Sequence, residues 1–318
     1  MNYTKFPFLP LLDKTVYGLI LEKNVLKKYR EAGKIARKVR ENVRKFVKEG
    51  MAIIEVCEWV EDEIRRLGGQ PAFPCNVSIN HVAAHYTSPT NDRSIISDRS
   101  LVKVDIGVHV DGYIADTAVT ICFDPELVFL EETARQALMR GIEIIRPGLL
   151  TSEFGSAIQR FIESRGLKPI SNLTGHQIDR YLIHAGKSLP NVAHFSLSRI
   201  KEGEVFAIEP FVTTRDGAGR VREGPPGNIY RLVKQKSVKD PEVNKVLTYI
   251  KNHYRTLPFA ERWLRKVFPE KILTKSFSKL LKSRILMAYP IFVEVKGKPV
   301  AQAEHTVVIT KDGCEVLT

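Results

Sequence analysis

Residues 101–122 read LVKVDIGVHVDGYIADTAVTIC, two β-prone runs joined by Asp111-Gly112. Asp-Gly between such runs is a strong signal for a hairpin with a two-residue turn. Because side chains alternate between the two faces of a sheet, this turn places Asp105 and Asp116 on the same face. They are diagonal neighbours, about 7–8 Å apart at the backbone. The stretch therefore predicts two carboxylates side by side above one sheet.

The predicted register also fixes what lies opposite each carboxylate. Asp105 faces Ala118, and Asp116 faces Gly107, so small partners leave space above the sheet. Two carboxylates this close do not both stay ionised in an apolar strand unless a positive charge lies between them. A metal ion satisfies that condition. The hairpin alone leaves a second interpretation open, an exposed sheet face with two solvated aspartates.

Three residues farther along the chain favour the metal. Glu209 lies in the apolar run VFAIEP, Glu304 lies in AQAEHTVVI, and His176 follows a glycine in LTGHQI. Each of them alone is compatible with an ordinary hydrogen-bonded core residue. Four carboxylates and one imidazole together suit Mn, Fe, Co or Zn. Paired metals held in this way are a known hydrolytic arrangement that includes aminopeptidases, and we therefore predict a paired metal site for hydrolysis.

Composition sets broad limits on the protein. The chain has 318 residues, of which 43% are hydrophobic and 27% charged, as in ordinary globular proteins. Prolines and charges interrupt residues 1–20, which favours neither a signal peptide nor a membrane span. The four cysteines have no CxxC spacing and are interpreted as buried thiols of a cytoplasmic protein.

Periodicity predicts the secondary structure only coarsely. Helices are expected at 22–48, 52–67, 129–146 and 151–165, and further strands at 204–213, 291–295 and 305–310. Residues 214–230, rich in glycine and proline, are expected to form a loop near the site entrance. Residues 231–288 are basic, helix-patterned and poor in strand signals, and we interpret them as an inserted subdomain.

The net charge of +13 is concentrated in two segments. Residues 231–288 carry 15 Lys and Arg against 4 Asp and Glu, and residues 22–49 carry 11 against 4. The simpler interpretation is that these are solvated helix faces. The alternative is a surface that contacts RNA.

Six stretches together resemble the type 2 methionine aminopeptidases of the pita-bread metallopeptidase family. They are FPCNVSINHVAAHYTSP, VKVDIGVHVDGYIADTAVT, TGHQIDRYLIHAGKSLPN, FAIEPFVTT, YRTLPFAERWL and AQAEHTVVIT. The resemblance is to the shorter, archaeal form. It implies an α+β fold, in which a curved antiparallel sheet with pseudo-two-fold symmetry is flanked by helices and a helical subdomain is inserted. The implied division is an N-terminal extension at 1–21, a catalytic domain at 22–230 and 289–318, and the insert at 231–288.

The resemblance also assigns roles to individual residues. It implies that Asp105 binds one metal, that Asp116 and Glu304 bridge two divalent metals, and that His176 and Glu209 complete the other site. Glu209 would also act as general base, with His85 and His184 as catalytic histidines that contact substrate. The residues implied to line the methionine pocket are Phe73, Ile183, Phe211 and Tyr289.

The function implied is removal of the initiator methionine from nascent chains when the next residue is small. The family suggests a monomer, and the cysteines favour a cytoplasmic protein. Contact of the basic insert with ribosomal RNA is a separate hypothesis that rests on the charge of the insert. Two alternatives remain. An Xaa-Pro peptidase of the same fold would show a histidine close after His176, whereas the next one here is His184. A non-catalytic RNA-binding relative would have lost ligands, and all five are present.

Overall fold

The structure, a computed structural model, describes residues 22–318, so the predicted extension 1–21 lies outside the described residues. The helices are α1 (Lys23–Phe46), α2 (Ile53–Arg66), α3 (Val128–Ile144), α4 (Thr151–Ser164), α5 (Pro241–His253), α6 (Glu261–Leu264) and α7 (Glu270–Lys282), with a 3₁₀ turn at Pro125–Leu127. The first strands are β1 (Gln70–Pro71), β2 (Asn76–Ile79), β3 (Val82–Ala84), β4 (Leu101–Val110), β5 (Tyr113–Cys122), β6 (Lys168–Pro169), β7 (Thr174–Ile178) and β8 (Ser188–Pro190). The remaining strands are β9 (Val205–Ile208), β10 (Phe211–Thr213), β11 (Val221–Leu232), β12 (Phe259–Ala260), β13 (Leu286–Glu294), β14 (Val300–Gln302), β15 (His305–Ile309) and β16 (Cys314–Val316).

Strands β4 and β5 form the predicted hairpin in the predicted register. Asp105 pairs with Ala118, and Asp116 pairs with Gly107. Both turn residues have positive φ, 53° and 88°, as a type I′ turn requires. The register prediction is therefore confirmed, and it places the two carboxylates on one face of the sheet.

The molecule has two similar halves. In the first half, α1 and α2 pack their apolar faces onto β2, β4 and β5 and bury one core cluster. In the second half, α3 and α4 pack in the same way beside β9, β14 and β15 around another cluster. The four predicted helices are confirmed to within about two residues at their ends. This repetition of a helix pair on a sheet is the predicted pseudo-two-fold α+β architecture.

The sheets are antiparallel, and their ends meet near the predicted ligands. The strand orders are β1-β4-β2 with β5 on β4, then β14-β10-β6, β12-β11-β13-β3 and β16-β15-β9-β7-β8. An isolated bridge between Ala118 and Glu304 joins the sheet of the first half to the chain entering β15. Because that bridge lies beside Asp105 and Asp116, acids from distant parts of the sequence come together there.

The predicted insert encloses an apolar cluster of its own. Helices α5 and α7 pack together, and the cluster includes Val246, Ile250, Phe277 and Leu280, all buried. The cluster runs from Leu232 to Leu286 along the chain. The division of the chain at 231 and 288 remains a prediction.

The predicted loop at 214–230 is wrong for its second half. Residues from 221 onward belong to β11, which pairs with β13 over most of its length. The ladder is irregular at Glu223 and Pro226, where register shifts occur. Proline cannot donate to a ladder and is accommodated at such bulges, so the glycine and proline content marked an irregular strand.

Two further predictions concern cysteines and membranes. Cys57 and Cys75 are buried thiols as predicted, but Cys122 and Cys314 are only partly buried, so the prediction is wrong for that pair. Within residues 22–318, no helix has the length and apolar character that crossing a bilayer demands.

The hairpin turn makes stability depend on pH. Burial lowers the pKa of His109 to about 4, and its Nδ1 accepts a hydrogen bond from Gly112 N at 3.2 Å. The folded protein therefore holds fewer protons than the unfolded chain between pH 4 and 6.5, and stability contributed by neutral His109 is lost as pH falls through that range. Between pH 7 and pH 5 we expect wild type to lose about 2 kcal/mol more than His109→Gln, which cannot titrate. Urea unfolding at both pH values measures this, and equal losses would contradict it.

Candidate metal centre

Three of the predicted ligands converge in the interior. Ligand atoms of Asp116, His176 and Glu304 all lie within 4.8 Å of one another, and all three residues are buried. His176 Nε2 lies 3.6 Å from Asp116 Oδ2 and 3.4 Å from Glu209 Oε1, which brings Glu209 to the same place. Asp105 lies on the same sheet face as Asp116, one diagonal step away.

Hydrogen bonds across the junction of the two halves position the two acids predicted to bridge the metals. Glu304 N donates to Ala118 O at 3.2 Å, and Thr117 Oγ1 donates to Glu304 O at 2.8 Å. Asp116 N donates to Thr306 Oγ1 at 2.7 Å, and that hydroxyl donates to Asp116 O at 2.7 Å. These bonds lock the backbone on both sides, so the Asp116 and Glu304 side chains point into one space.

His176 and Glu209 come from neighbouring strands of the second half. His176 in β7 pairs with Ala207 in β9, and Glu209 lies in the break between β9 and β10. A Cβ on Gly175 would lie 2.4 Å from Ala207 O, so glycine is required for this approach. The close approach brings the imidazole within reach of Glu209.

Two amides that the sequence analysis missed support the acids. Asn76 Nδ2 donates to Asp105 Oδ2 at 3.2 Å. Gln302 Nε2 donates to Glu209 Oε2 at 3.4 Å and to Glu304 Oε2 at 3.5 Å. Gln302 precedes Glu304 by two positions, and the period of two along a strand was a signal for it. Asn76 pairs with Asp105 between β2 and β4, which only the folded register reveals.

The electrostatics of the cluster suit a bound cation. Burial raises the pKa of Asp105 to about 6. Burial first, and repulsion from neighbouring carboxylates second, raise the pKa values of Asp116, Glu209 and Glu304 well above their ordinary ones. Among residues 22–318, Asp105 Oδ1, Asp116 Oδ1 and His176 Nδ1 are buried with no hydrogen-bond partner. Buried acids of this kind, with an imidazole, fit a divalent metal site.

The two predicted catalytic histidines border the cluster. The ring centre of His184 lies 4.3 Å from that of His176, and the ring centre of His85 lies 5.4 Å from that of Tyr289. Burial lowers the pKa of His85 to about 4, and burial followed by the neighbouring histidines lowers that of His184 well below its ordinary value. Both rings are therefore neutral near pH 7, and each carries one N–H donor.

The residues predicted to line a methionine pocket fall into three groups. Phe73 and Ile183 share one apolar cluster, while Phe211 belongs to another, and all three are buried. Tyr289 faces His85, and within the described chain its buried hydroxyl has no hydrogen-bond partner. A Cβ on Gly107 would lie 2.2 Å from Phe73, so the missing side chain makes room for that ring above the sheet. Their role in substrate binding remains a prediction.

Fold and site together define a metallopeptidase of the pita-bread class. The model of metallopeptidase family M24 matches residues 27–311. Solved structures support the fold. The methionine aminopeptidase of Thermotoga maritima has a TM-score of 0.67 at 22% identity, with 95% of this chain and 99% of that one covered. The Pyrococcus furiosus prolidase has a TM-score of 0.60 at 18% identity, with 93% of this chain and 64% of that one covered.

Relatives with higher sequence identity show which enzyme within the metallopeptidase class this chain resembles. The methionine aminopeptidase of Methanothermobacter thermautotrophicus is 44% identical over 297 residues, 92% of this chain and 99% of its own length. That of Pyrococcus horikoshii is 46% identical over 289 residues, 91% of this chain and 97% of its own length. The chain belongs to family M24 and, within it, to the methionine aminopeptidases. It is a metalloaminopeptidase, and its hydrolysis uses divalent metal.

Proposed function

We propose that this enzyme removes the initiator methionine from nascent proteins whose second residue is small, and that it uses two divalent metal ions. The observation that carries the proposal is the buried convergence of Asp116, His176 and Glu304, with Glu209 at 3.4 Å from the imidazole. A buried acid cluster in this family's fold has one evident use, which is to hold the ions that hydrolyse a peptide bond.

Five residues would hold the ions. As the family resemblance implies, Asp116 and Glu304 would be shared, His176 and Glu209 would complete one position, and Asp105 the other. When bound, two such ions lower the pKa of a water and polarise the scissile carbonyl. Carboxylate oxygens with one imidazole suit Mn, Fe, Co or Zn.

The chain's own residues would perform the proton transfers. Glu209, at the edge of the cluster, would accept the proton of the attacking water and deliver it to the leaving amine. Neutral His85 and His184 would donate hydrogen bonds to the scissile amide and its carbonyl oxygen. The buried Tyr289 hydroxyl and the apolar rings of Phe73 and Phe211 would receive the methionine side chain.

Turnover of short peptides tests this function. We expect cleavage of Met-Ala-Ser and no cleavage of acetyl-Met-Ala-Ser, because a free amino group is needed to dock at the metal. Ala-Pro is the discriminating control for the Xaa-Pro alternative. Faster turnover of Ala-Pro than of Met-Ala-Ser would refute the methionine assignment. Metal analysis of the active protein would give the number and identity of the ions.

The space above Gly107 provides a mutational test of the methionine pocket. Gly107→Ala places a methyl group into the ring of Phe73 and displaces it. We expect KM for Met-Ala-Ser to rise about tenfold, because a single methyl group in an apolar pocket has effects of that size. Because Gly107 also faces Asp116, metal content is measured in parallel, and the KM comparison is made at saturating metal. Gly313→Ala, where a Cβ would meet open space, is the matched control. An unchanged KM in Gly107→Ala would exclude Phe73 from the pocket.

We also propose that the basic insert contacts ribosomal RNA and that the enzyme is a cytoplasmic monomer. Exposed lysines on the insert support the contact, and they include Lys234, Lys236, Lys245, Lys266, Lys271 and Lys282. Lys275 and Lys279 are paired with Asp240 at 3.0 Å and 2.6 Å, so part of the charge is neutralised internally. Co-sedimentation with ribosomes should weaken with salt and with Lys→Gln changes at 266, 271 and 282. Ribosome binding that changes neither with salt nor with these substitutions would refute the contact. Sedimentation velocity of the purified enzyme tests whether it is a monomer.

A further inference from the structure

Residues 254–263 of the insert, YRTLPFAERW, contact both chain segments that carry the proposed catalytic histidines. Neither His85 nor His184 lies in a helix or strand, so neither is held by a backbone ladder of its own. Thr256 meets the segment that leads to His184, and Arg262 meets the segment that follows His85.

The segment leading to His184 is held through Tyr181. Its N donates to Gly112 O at 2.8 Å, and its carbonyl accepts a hydrogen bond from the hydroxyl of Thr256. The Arg255 guanidinium lies 4.3 Å from the centre of the tyrosine ring. On the other side, a Cβ on Gly112 would lie 2.3 Å from that ring. The tyrosine is therefore enclosed between the hairpin turn and the insert.

The segment that follows His85 is held through a buried ion pair. Arg262 donates to the Glu61 carboxylate, to Thr87 Oγ1 at 3.1 Å and to Ser88 O at 3.4 Å. Trp263 Nε1 donates to Glu61 Oε2 at 2.6 Å. Both charged residues are buried, with 2% and 6% exposure for the glutamate and the arginine. A fork of guanidinium donors in this position fixes geometry as well as charge.

The same ion pair reaches the predicted ligand shell. Glu61 Oε1 accepts a hydrogen bond from Cys75 N at 3.1 Å, and Thr87 Oγ1 donates to Cys75 O at 2.8 Å. Cys75 directly precedes Asn76, whose amide binds Asp105. The insert is thus connected to both ends of the segment that carries His85.

Backbone conformation explains why such support is needed. Tyr181 has φ of 55° and His85 has φ of 66°, in the left-handed region that few non-glycine residues occupy and that is unfavourable for a bulky residue such as tyrosine. Such conformations persist where the surroundings enforce them. Between the two contacts, β12 pairs with β11, with Tyr230 opposite Phe259, so residues 254–263 are themselves fixed.

We propose that residues 254–263 form a clamp that sets the positions of His85 and His184 relative to each other, with Thr256 and Arg262 as positioning residues. The proposal rests on the proposed peptidase function, in which both histidines contact the scissile amide. It gives the insert a role inside the enzyme that is independent of any RNA contact.

Thr256→Val tests the clamp on the His184 side, because it removes the hydroxyl donor and keeps the shape. We expect kcat for Met-Ala-Ser to fall about tenfold, since small displacements of catalytic groups have effects of at least that size. KM and metal affinity should stay near wild type. Thr256→Ser should restore kcat, and exposed Thr248→Val is the matched control. Wild-type kcat in Thr256→Val would overturn the clamp. Arg255→Leu replaces it as the test if Thr256→Val does not fold.

Amide hydrogen exchange provides a readout that does not depend on peptidase activity. Thr256→Val should speed exchange at residues 181–185 and leave 85–88 unchanged, whereas Arg262→Lys should do the reverse. Unchanged local exchange in both variants would overturn the clamp. If the wild-type enzyme cleaves no methionyl peptide, the proposed function is wrong. The exchange pattern of the two variants would still show whether residues 254–263 act as a clamp.

Discussion

We expect Asp116→Asn to lower kcat/KM for Met-Ala-Ser by about a thousandfold or more, and at the same time to raise the melting temperature of the metal-free protein. In the proposed site the Asp116 carboxylate would be shared between two cations, and an amide cannot replace it, so we expect activity and metal affinity to be lost. Without metal, however, Asp116 is a buried acid whose pKa is raised by burial and by Asp105, and its ionised form destabilises the fold. Removing that charge relieves the repulsion.

Three measurements check this pair of effects. They are kcat/KM at saturating metal, metal content of the purified protein, and thermal unfolding after chelation. Asp312→Asn, at an exposed site, is the matched control and should change none of them. Activity within tenfold of wild type would overturn the metal assignment. A metal-free variant less stable than metal-free wild type would show that Asp116 is held by neutral hydrogen bonds instead.

The hairpin was predictable because its determinants are local. The Asp111-Gly112 turn fixes the register, and the register alone places Asp105 and Asp116 on one face. The other acids were visible only as charges in apolar runs. Their convergence depends on the bridge between Ala118 and Glu304, which joins residues far apart in sequence, and only the resemblance anticipated it.

Side-chain contacts between segments that are distant in sequence could not be predicted. Gln302 and Asn76 are ordinary amides until the fold places them on carboxylates. The basic composition of the inserted segment predicted solvent-exposed helices that contact an outside partner. Composition does not show which charged residues are buried, and so it did not indicate that Arg262 lies in the interior. Glycine and proline at 224–227 indicated a loop because local propensity cannot foresee a bulged strand held by a long partner.

Arg262→Met is expected to destabilise the protein by about 3–5 kcal/mol, because it leaves the Glu61 carboxylate buried without its cation. Side-chain exposure is 4% for the arginine and 3% for the glutamate, so water cannot replace the lost partner.

Arg66→Met is the matched control. Arg66 pairs with Glu63 at 2.6 Å on the same helix as Glu61, but it is 63% exposed. Its loss should change stability by about 0.5 kcal/mol or less. Urea unfolding of the three proteins measures the difference.

The pH dependence separates loss of the charge pair from loss of packing. Burial raises the pKa of the Glu61 carboxyl, and Arg262 opposes that rise, so the variant should raise it further. An acid with a raised folded pKa holds its proton in the folded state, and its ionisation removes stability as pH rises above the ordinary value of 4.5. The loss of unfolding free energy in Arg262→Met should therefore be larger at pH 8 than at pH 5.

The double variant Glu61→Gln/Arg262→Met should recover stability at pH 8, since no buried charge remains. A deficit independent of pH, with no recovery in the double variant, would mean that the arginine contributes through packing and that the ion pair does not hold the insert on the catalytic domain.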